Sequence, residues 1–372
     1  MSQPLVLVCA GGTGGHLFPA EALSVALAAR GCLVDLVTDE RAEKYGRAFP
    51  ARATHIVAAA TVTSKNPLAL LKTGLTLGRG YLHARKVIRV LKPKAVVGFG
   101  GYPTLPPMFA ASQLGVPTII HDQNAVMGRA NRQLSARATA IATSFPGVLD
   151  KDPALARKAT FTGNPVRPMV IAAAALPYDP PVAGGPFRLC VFGGSQGARV
   201  MSEILPAALE RLDPASRARL LVVQQARGED EASVKAAYQR LGVDAEVAPF
   251  FVDLPGWLAR SHLVIARSGA STVAELSVIG RPSILVPLPH ALDQDQLMNA
   301  ATLASAMAAT VVKQADFTPD WVAGELARLL ADPAPLIAAA AAAKAQGHAD
   351  AADRLADLVL KTAGIAPAGP VP

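Results

Sequence analysis

The feature that most constrains the fold is an alternation of short apolar runs, rich in β-branched residues, with longer segments of helical periodicity. The alternation occupies the first third of the chain and begins again after a stretch rich in proline and glycine that ends at residue 186. Strands that alternate with helices form parallel sheets. The sequence therefore predicts an α/β protein with two parallel-sheet domains. The strand candidates are residues 5–9, 33–38, 95–98, 118–121, 187–192, 219–224, 245–249, 263–266 and 283–286.

Length and composition agree with two compact domains. The chain has 372 residues, of which 51% are hydrophobic and 17% charged, and this excludes global disorder. The three cysteines form no C-x-x-C pair, so neither a zinc site nor a disulfide framework is expected. The sequence contains no run of about twenty uncharged apolar residues, so no membrane span is predicted. The N-terminus is typical of a first strand and not of a signal peptide. The net charge of +8 favours anionic partners, but no nucleic-acid-binding motif occurs.

A glycine-rich loop, Gly11-Gly12-Thr13-Gly14-Gly15-His16, follows the first strand and precedes a helix predicted over residues 19–30. Such a loop brings backbone N–H groups to an anion at a helix N-terminus. The second interpretation is a dinucleotide-binding turn, the G-x-G-x-x-G motif. Leu17 would then occupy the position of the motif's third glycine, and Asp39 would be the acidic residue that binds the ribose. A tight turn without a ligand is the third.

His16, which ends this loop, is the candidate general base. An imidazole titrates near neutral pH and suits the activation of a hydroxyl nucleophile. The alternative is that His16 only hydrogen-bonds phosphate or a neighbouring strand.

Two further loops of the second half also predict anion binding. Residues 193–199 repeat the glycine-rich arrangement, and residues 267–275 place small residues before a helix that carries Glu275. Ligands of doubly wound sheets collect at the carboxyl ends of the strands, so facing domains would enclose a phosphorylated donor and acceptor in one cleft. Glu275 suits the two hydroxyls of a ribose, although a plain capped helix with a solvated Glu275 explains the pattern equally well.

Other polar clusters follow predicted strands. Residues 290–299 suit sugar hydroxyls, with a metal-binding Asp293-x-Asp295 pair or a solvated turn as alternatives. In the first half, residues 98–103 and 121–124 add binding capacity for an acceptor diphosphate.

The segment 65–94 alternates cations with leucines. It suits an anionic lipid surface, with the leucines entering the interface. An amphipathic core helix with a solvated cationic face is the other interpretation.

Six motifs together resemble the MurG family of peptidoglycan glycosyltransferases, and they occur in the family's order. The resemblance extends from residue 5 to about residue 360. It implies a GT-B architecture, in which two Rossmann-like domains face a central cleft. The motifs are residues 11–16, 100–102, 121–124, 163–167, 193–199 and 267–275.

The resemblance implies four regions. Residues 1–163 would form the acceptor-binding, membrane-facing domain and residues 164–340 the domain that binds the UDP-sugar. Residues 341–363 would form a helix that packs back on the first domain, followed by a disordered tail at 364–372.

The family's site residues are carried over by position. His16 is the implied catalytic residue, and Asp122 stands where the family often has glutamate. No metal or cofactor is implied. Acceptor contacts are implied for Gly100, Gly101, Tyr102, His121 and Asp122. Contacts with UDP-N-acetylglucosamine are implied for Thr13, Gly14, Gly15, Asn124, Arg167, Ser195, Val252, Ala270, Ser271, Thr272, Val273, Ala274, Glu275 and Gln296, with Asn299 beside the sugar.

The implied reaction is an inverting transfer of N-acetylglucosamine from UDP to the C4 hydroxyl of undecaprenyl-diphosphate-MurNAc-pentapeptide (lipid I), which gives lipid II and UDP. The protein would lie peripherally on the cytoplasmic face of the inner membrane, near cell-wall synthesis and division proteins. A UDP-N-acetylglucosamine 2-epimerase of the same architecture and a non-catalytic nucleotide-sugar sensor are the alternatives.

Overall fold

The computed structural model describes residues 3–40, 49–59, 66–194, 197–289 and 293–366. The chain forms two compact units, one of residues 1–167 with 349–372 and the other of residues 168–348. The boundaries predicted from the sequence lie at 163/164 and 340/341.

The first unit is built on a seven-stranded sheet with the strand order β3-β2-β1-β4-β5-β6-β7. Every pair of neighbouring strands is parallel. The strands are β1 (Leu5–Cys9), β2 (Leu33–Thr38), β3 (Ala53–Ile56), β4 (Ala95–Gly98), β5 (Thr118–Asp122), β6 (Ala140–Thr143) and β7 (Ala159–Phe161). The helices are α1 (Gly14–Ala29), α2 (Pro67–Leu91), α3 (Leu105–Gln113), α4 (Arg129–Ser135) and α5 (Pro153–Ala156), with a 3-10 turn at Tyr102–Thr104.

The second unit is built on a six-stranded sheet with the order β10-β9-β8-β11-β12-β13, again parallel throughout. The strands are β8 (Phe187–Phe192), β9 (Leu220–Gln225), β10 (Asp244–Ala248), β11 (Leu263–Ala266), β12 (Ser283–Leu285) and β13 (Ala309–Val311). The helices are α6 (Pro168–Ala173), α7 (Arg199–Arg211), α8 (Pro214–Ala218), α9 (Gly228–Leu241), α10 (Leu254–Arg260), α11 (Ala270–Ile279), α12 (Asp295–Ser305), α13 (Pro319–Ala331) and α14 (Ala334–Ala345).

The last helix, α15 (Ala351–Ala363), returns the chain to the first unit. Leu355 and Val359 of this helix are fully buried in the same core cluster as Leu23 and Leu27 of α1. At the rim, Arg30 pairs with two aspartates of α15 at 2.9 and 3.1 Å. The alanine-rich C-terminal segment therefore forms two separate helices, and only the second belongs to this unit.

The two parallel sheets confirm the predicted fold class, and the apolar composition of the strands explains it. A parallel strand covered by helices on both faces is apolar at successive positions. In β1, Val6 and Val8 pack into one core cluster and Leu7 and Cys9 into another.

The start of α1 differs from the prediction. The sequence predicts a helix from Pro19, because proline favours the first turn. The helix instead begins at Gly14, so that Gly14, Gly15 and His16 form its first turn and Pro19 lies inside it. The glycine loop and the helix N-terminus are therefore one feature.

Within the described ranges, no single helix has the length and apolar composition needed to cross a bilayer. Helices α13 and α14 meet that criterion only as a pair, with a bend of 99° between them.

Candidate active site

The first glycine loop ends in the opening turn of α1. Thr13 is the N-cap residue with an extended backbone, and its carbonyl accepts the first helical hydrogen bonds from His16 and Leu17, both at 3.0 Å. The first N–H groups of a helix have no partner within that helix. The amides of Gly14 and Gly15 therefore lie where an anion can bind them.

His16 lies between the glycine loop and a second glycine turn after β4. The Thr13 hydroxyl oxygen is 2.9 Å from His16 Nδ1. On the other side, a Cβ built on Gly100 would lie 3.4 Å from His16 Nε2, and one on Gly101 would lie 3.6 Å from Cε1 of the ring. Both glycines have positive φ, 85° and 78°, which a side chain would strain. The structure thus brings together four predicted site residues, Thr13, His16, Gly100 and Gly101, with Nδ1 as the ring nitrogen that faces Thr13.

Asp122 organises the loop that follows β5. The residue is 1% exposed, and its carboxylate accepts hydrogen bonds from the backbone N–H of Asn124 at 3.2 Å, from that of Gly128 at 3.0 Å and from Asn131 Nδ2 at 2.9 Å. Burial raises the pKa of the Asp122 carboxyl, while these bonds and the charge of Arg132 act against that rise. All three hydrogen bonds are donated to the carboxyl oxygens, and such bonds favour the ionised form of the group.

His121 is buried beside it and takes part in the fold of the unit. Its Nε2 lies 3.2 Å from the Gly163 carbonyl oxygen, and Gln123 Nε2 lies 3.1 Å from its Nδ1. Gln123 also donates to the Phe99 carbonyl at 2.9 Å. Burial lowers the pKa of His121 to about 4, although the bond to Gly163 opposes that shift.

The predicted acceptor residues thus fall into two groups. Gly100, Gly101 and Tyr102 lie in the turn beside His16, and Tyr102 is half-buried at the start of the 3-10 turn. His121 and Asp122 lie beneath the loop, and their polar atoms hold it in place. Asn124, predicted to contact the donor, is half-buried in that loop.

Asn131 joins these two groups, and no local pattern singles it out in the sequence. Its Nδ2 donates to the His121 carbonyl at 3.2 Å as well as to Asp122, and it would lie 3.5 Å from a Cβ on Gly100. The Asp122 loop and the His16 ring therefore border the same glycine. Only the tertiary structure identifies this residue.

Arg167 is the last residue of the first unit. The centre of its guanidinium lies 3.8 Å from the centroid of the Phe18 ring, on the second turn of α1. The predicted anion-binding arginine is thus placed next to the glycine loop.

In the second unit, Gly269 caps α11 with an extended backbone, and Ala270 is the first helical residue. The amides of Ala270, Ser271 and Thr272 therefore belong to the first turn, which favours anions. Val273 and Glu275 are buried, with 4% and 6% exposure, and Ala274 is half-buried. The structure places this predicted diphosphate segment at a helix N-terminus.

Arg267 lies directly before this segment and is 9% exposed. Its guanidinium donates to the carbonyls of Val286 and Pro287, at 3.0 and 3.1 Å, and to the Gln314 side chain. Burial lowers the pKa of Arg267. The sequence motif contains this arginine, but the residue pattern assigns it no role, because its acceptors are remote in the chain.

The start of α12 is tied to the same loop. Ser268 Oγ donates to the Gln296 carbonyl at 2.8 Å, and Asn299 Nδ2 donates to the Ser268 carbonyl at 3.3 Å. The Gln296 side-chain oxygen accepts from the Leu288 N–H at 3.0 Å. The two amide residues predicted to bind the sugar are therefore fixed next to the diphosphate segment.

The remaining predicted residues are more separate. Val252, between β10 and α10, is 80% exposed. Asp295 accepts from the Gln296 N–H at 2.9 Å, and within the described ranges neither Asp293 nor Asp295 belongs to a group of three potential metal-ligating side chains. Ser195 lies outside the described residues.

With this geometry established, comparison with known families identifies the class. Residues 6–143 match the glycosyltransferase family 28 N-terminal domain, and residues 188–355 match the glycosyltransferase family 28 C-terminal domain. The chain belongs to glycosyltransferase family 28.

Curated relatives are similar over nearly the whole chain. A protein of Rhodopseudomonas palustris strain HaA2 is 60% identical over 362 residues, which is 97% of this chain and 99% of the relative. One of Bradyrhizobium sp. strain BTAi1 is 59% identical over 364 residues, 98% of this chain and 99% of the relative. Both are named UDP-N-acetylglucosamine–N-acetylmuramyl-(pentapeptide) pyrophosphoryl-undecaprenol N-acetylglucosamine transferase.

Solved structures agree with the fold. The crystal structure of Acinetobacter baumannii MurG matches with a TM-score of 0.75 and 28% identity, over 97% of this chain and 100% of that one. A putative UDP-N-acetylglucosamine 2-epimerase from Listeria monocytogenes matches with a TM-score of 0.67 and 16% identity, over 97% and 96% of the two chains. At that identity, the second likeness shows the fold alone.

Proposed function

We infer that the protein is a hexosyltransferase that moves N-acetylglucosamine from UDP-N-acetylglucosamine to the lipid-linked precursor undecaprenyl-diphosphate-MurNAc-pentapeptide, in peptidoglycan synthesis. The observation that carries this conclusion is the 60% identity over 97% of the chain to a relative that bears this activity in its name. The anion-binding helix N-termini of α1 and α11 support it, because donor and acceptor both carry a diphosphate.

We propose an inverting displacement. The C4 hydroxyl of the muramoyl sugar attacks the anomeric carbon of the donor, the bond from that carbon to the diphosphate oxygen breaks, and UDP leaves as a β-1,4 linkage forms. We assign the acceptance of the hydroxyl proton to His16 Nε2, because in the tautomer whose Nδ1 carries the proton and donates to the Thr13 hydroxyl, Nε2 is the basic ring nitrogen. Helix N-termini stabilise the negative charge that develops on the leaving diphosphate.

We also propose roles in donor binding for individual residues. We propose that the first-turn amides of α11 bind the diphosphate and that Glu275 binds the ribose hydroxyls. Gln296 and Asn299 bind the sugar, and Val252 lies by the uracil. Further donor contacts come from Thr13, Gly14, Gly15, Asn124, Arg167 and Ser195, and Val273 and Ala274 belong to the α11 segment. Acceptor contacts are proposed for Gly100, Gly101 and Tyr102, and for His121 and Asp122 through the loop that they hold.

The test is the transfer of radiolabelled N-acetylglucosamine from its UDP donor to detergent-dispersed muramoyl-pentapeptide diphosphoprenol. Wild type should yield labelled disaccharide lipid. His16→Ala should lower kcat by about a hundredfold to ten-thousandfold, the usual contribution of a general base. Glu275→Ala should weaken donor binding. Epimerised UDP-sugar without labelled lipid would overturn the transferase assignment.

We also propose that the protein binds the cytoplasmic face of the inner membrane peripherally, through α2. Leu71, Leu75, Leu82 and Val90 are 59% to 71% exposed. Exposed cations accompany them on the same helix, and a surface of this kind suits anionic headgroups. These cations include Arg79, Lys86 and Arg89, while Lys65 and the Lys72 side chain lie outside the described residues. Cell-wall synthesis and division proteins are the partners expected at that location.

Co-sedimentation with phosphatidylglycerol vesicles tests the membrane proposal. Leu75→Glu combined with Leu82→Glu should reduce the bound fraction by about tenfold or more, because two charges enter the interface in place of two apolar side chains. Val182→Glu is the matched control, since Val182 is 68% exposed in the second unit. Equal losses in both variants would contradict the assignment of the surface to α2.

A further inference from the structure

Phe18 contacts two parts of the predicted anion site that are distant in sequence. Its ring lies against the opening turn of α1, where a Cβ built on Gly14 would be 3.1 Å from two ring carbons. The guanidinium of Arg167 lies over the same ring, with its central carbon 3.8 Å from the ring centroid. One half-buried aromatic side chain thus touches both the loop and the arginine.

The stacking geometry restricts where the guanidinium can lie. An arginine side chain has several rotatable bonds and loses about 2 kcal/mol of rotamer entropy when it is held in one place. A planar guanidinium stacked on an aromatic face keeps its N–H groups at its edge, where they can still bind an oxyanion. An aromatic ring therefore orients an arginine without using its donors.

Glu21 shows that the charge of Arg167 is felt on this face of α1. Burial raises the pKa of the Glu21 carboxyl, and the nearby charge of Arg167 acts against that rise. Glu21 lies three residues after Phe18, so both side chains are on one face of the helix. The charge of Arg167 therefore acts on a carboxyl of the same helix face.

We propose that Phe18 is a positioning residue, whose ring holds the Arg167 guanidinium beside the first turn of α1 so that it pairs with the diphosphate of the sugar donor. The proposal rests on the proposed function for the identity of that anion. The α1 N-terminus and Arg167 then present two positive features to one ligand, and Phe18 fixes the distance between them.

The substitution series uses Phe18→Leu, which removes the aromatic face and keeps an apolar side chain, and Phe18→Tyr, which keeps the face. Phe18→Leu should raise KM and Kd for UDP-N-acetylglucosamine roughly tenfold, as expected for a partly buried cation–π contact, with kcat changed less than about twofold. Phe18→Tyr should stay close to wild type. Unfolding midpoints of both variants establish that they are folded.

A double-mutant cycle separates positioning from general packing. In an Arg167→Gln background, Phe18→Leu should have no further effect on Kd, because the side chain that it positions is gone. An equal loss in both backgrounds, or an unchanged Kd for Phe18→Leu in the wild-type background, would overturn the proposal. Phe109→Leu is the matched control, since Phe109 carries Arg137 at 5.1 Å in the same unit, and it should leave Kd unchanged.

Two measurements keep this proposal distinct from the proposed function. Kd for UDP-N-acetylglucosamine is measured by calorimetry without acceptor, and transfer is measured separately. Absence of transfer by wild type would overturn the transferase assignment, while the Kd cycle would still decide whether Phe18 acts through Arg167.

Discussion

The two units support their predicted ligand loops with buried charges of opposite sign. In the first unit, the carboxylate of Asp122 lies at the end of β5 and accepts from three N–H donors. In the second, the guanidinium of Arg267 follows β11 directly and donates to three neutral oxygens. Both residues are less than a tenth exposed.

The difference matters for what each loop can bind. A buried anion accepts hydrogen bonds from N–H groups, and a buried cation donates hydrogen bonds to carbonyl oxygens. The acceptors of Arg267 are the carbonyls of Val286 and Pro287 after β12 and the Gln314 side chain, so this buried cation uses none of the first-turn amides of α11, which can still bind an anion. This arrangement suits a diphosphate. The Asp122 loop uses two of its own amides internally, which suits a neutral sugar hydroxyl better than an anion.

One feature is common to both units, a buried neutral histidine, and its titration should produce the largest effect. Burial lowers the pKa of His121 to about 4, and burial together with the charge of Arg188 lowers that of His262 to about 4. An unfolded histidine titrates near 6.5, so between pH 6.5 and 4 the unfolded state binds more protons and stability falls as pH falls. For His121 the loss is on the order of 3 kcal/mol.

Urea unfolding at pH 7, 5.5 and 4 checks this expectation. His121→Gln keeps a donor for the Gly163 carbonyl, and His262→Asn keeps an acceptor for the Arg188 N–H, which lies 3.1 Å from Nδ1. Each variant should flatten the pH dependence of its own unit. The same slope in wild type and in both variants would mean that other groups cause the acid sensitivity.

The sheet interiors could be predicted from the sequence, and the edges could not. Each strand predicted from an apolar run is present, within one residue at either end. The strands without a prediction include β3, β7 and β13, which lie at sheet edges, are partly exposed and contain small or polar residues. The inner strand β6, with the sequence Ala-Ile-Ala-Thr, is also not predicted, because alanine has little β-propensity.

The positions of the glycine loops could also be predicted from the sequence. The side chains that contact and support these loops could not. Loop positions follow from local patterns of strand, glycine and helix. Asn131, Phe18 and Arg267 act through contacts with residues far away in the chain or on another element, and a single sequence contains no record of such contacts. The site was therefore predictable as a set of loops and not as a network.

Removing the charge of Asp122 should cause the next largest effect. Asp122→Asn turns an amide NH2 toward the donors of Gly128 or Asn131, so the loop loses its acceptor and moves. Because small displacements of reacting groups cost about a hundredfold in rate, kcat/KM for transfer should fall by roughly that factor. Asp122→Glu keeps the charge and should retain more activity.

Asp152→Asn is the matched control for this substitution. Asp152 also accepts from two backbone N–H groups, at the N-terminus of α5, but it is exposed and belongs to a different loop. Its loss should leave kcat/KM within about twofold of wild type, as is usual for exposed surface positions. If the two variants are equally active, the Asp122 carboxylate does not hold the loop in a catalytic arrangement.

The smallest effect is expected at Arg267, and it tests whether the sign of the buried charge matters. Arg267→Gln removes the charge and should raise Kd for UDP about tenfold, or about 1.4 kcal/mol. Arg267→Lys keeps the charge and should bind UDP more tightly than the glutamine variant does. Arg281→Gln is the control, since Arg281 is 1% exposed in the same unit and donates to the carbonyls of Ala259 and Ile279. That variant should lose stability without a change in Kd, measured by calorimetry at a temperature where it is folded. Equal Kd values for the Lys and Gln variants of Arg267 would mean that the residue acts only through its hydrogen bonds to carbonyl groups. The difference between Arg267 and Asp122 would then be one of hydrogen-bond geometry and not of charge.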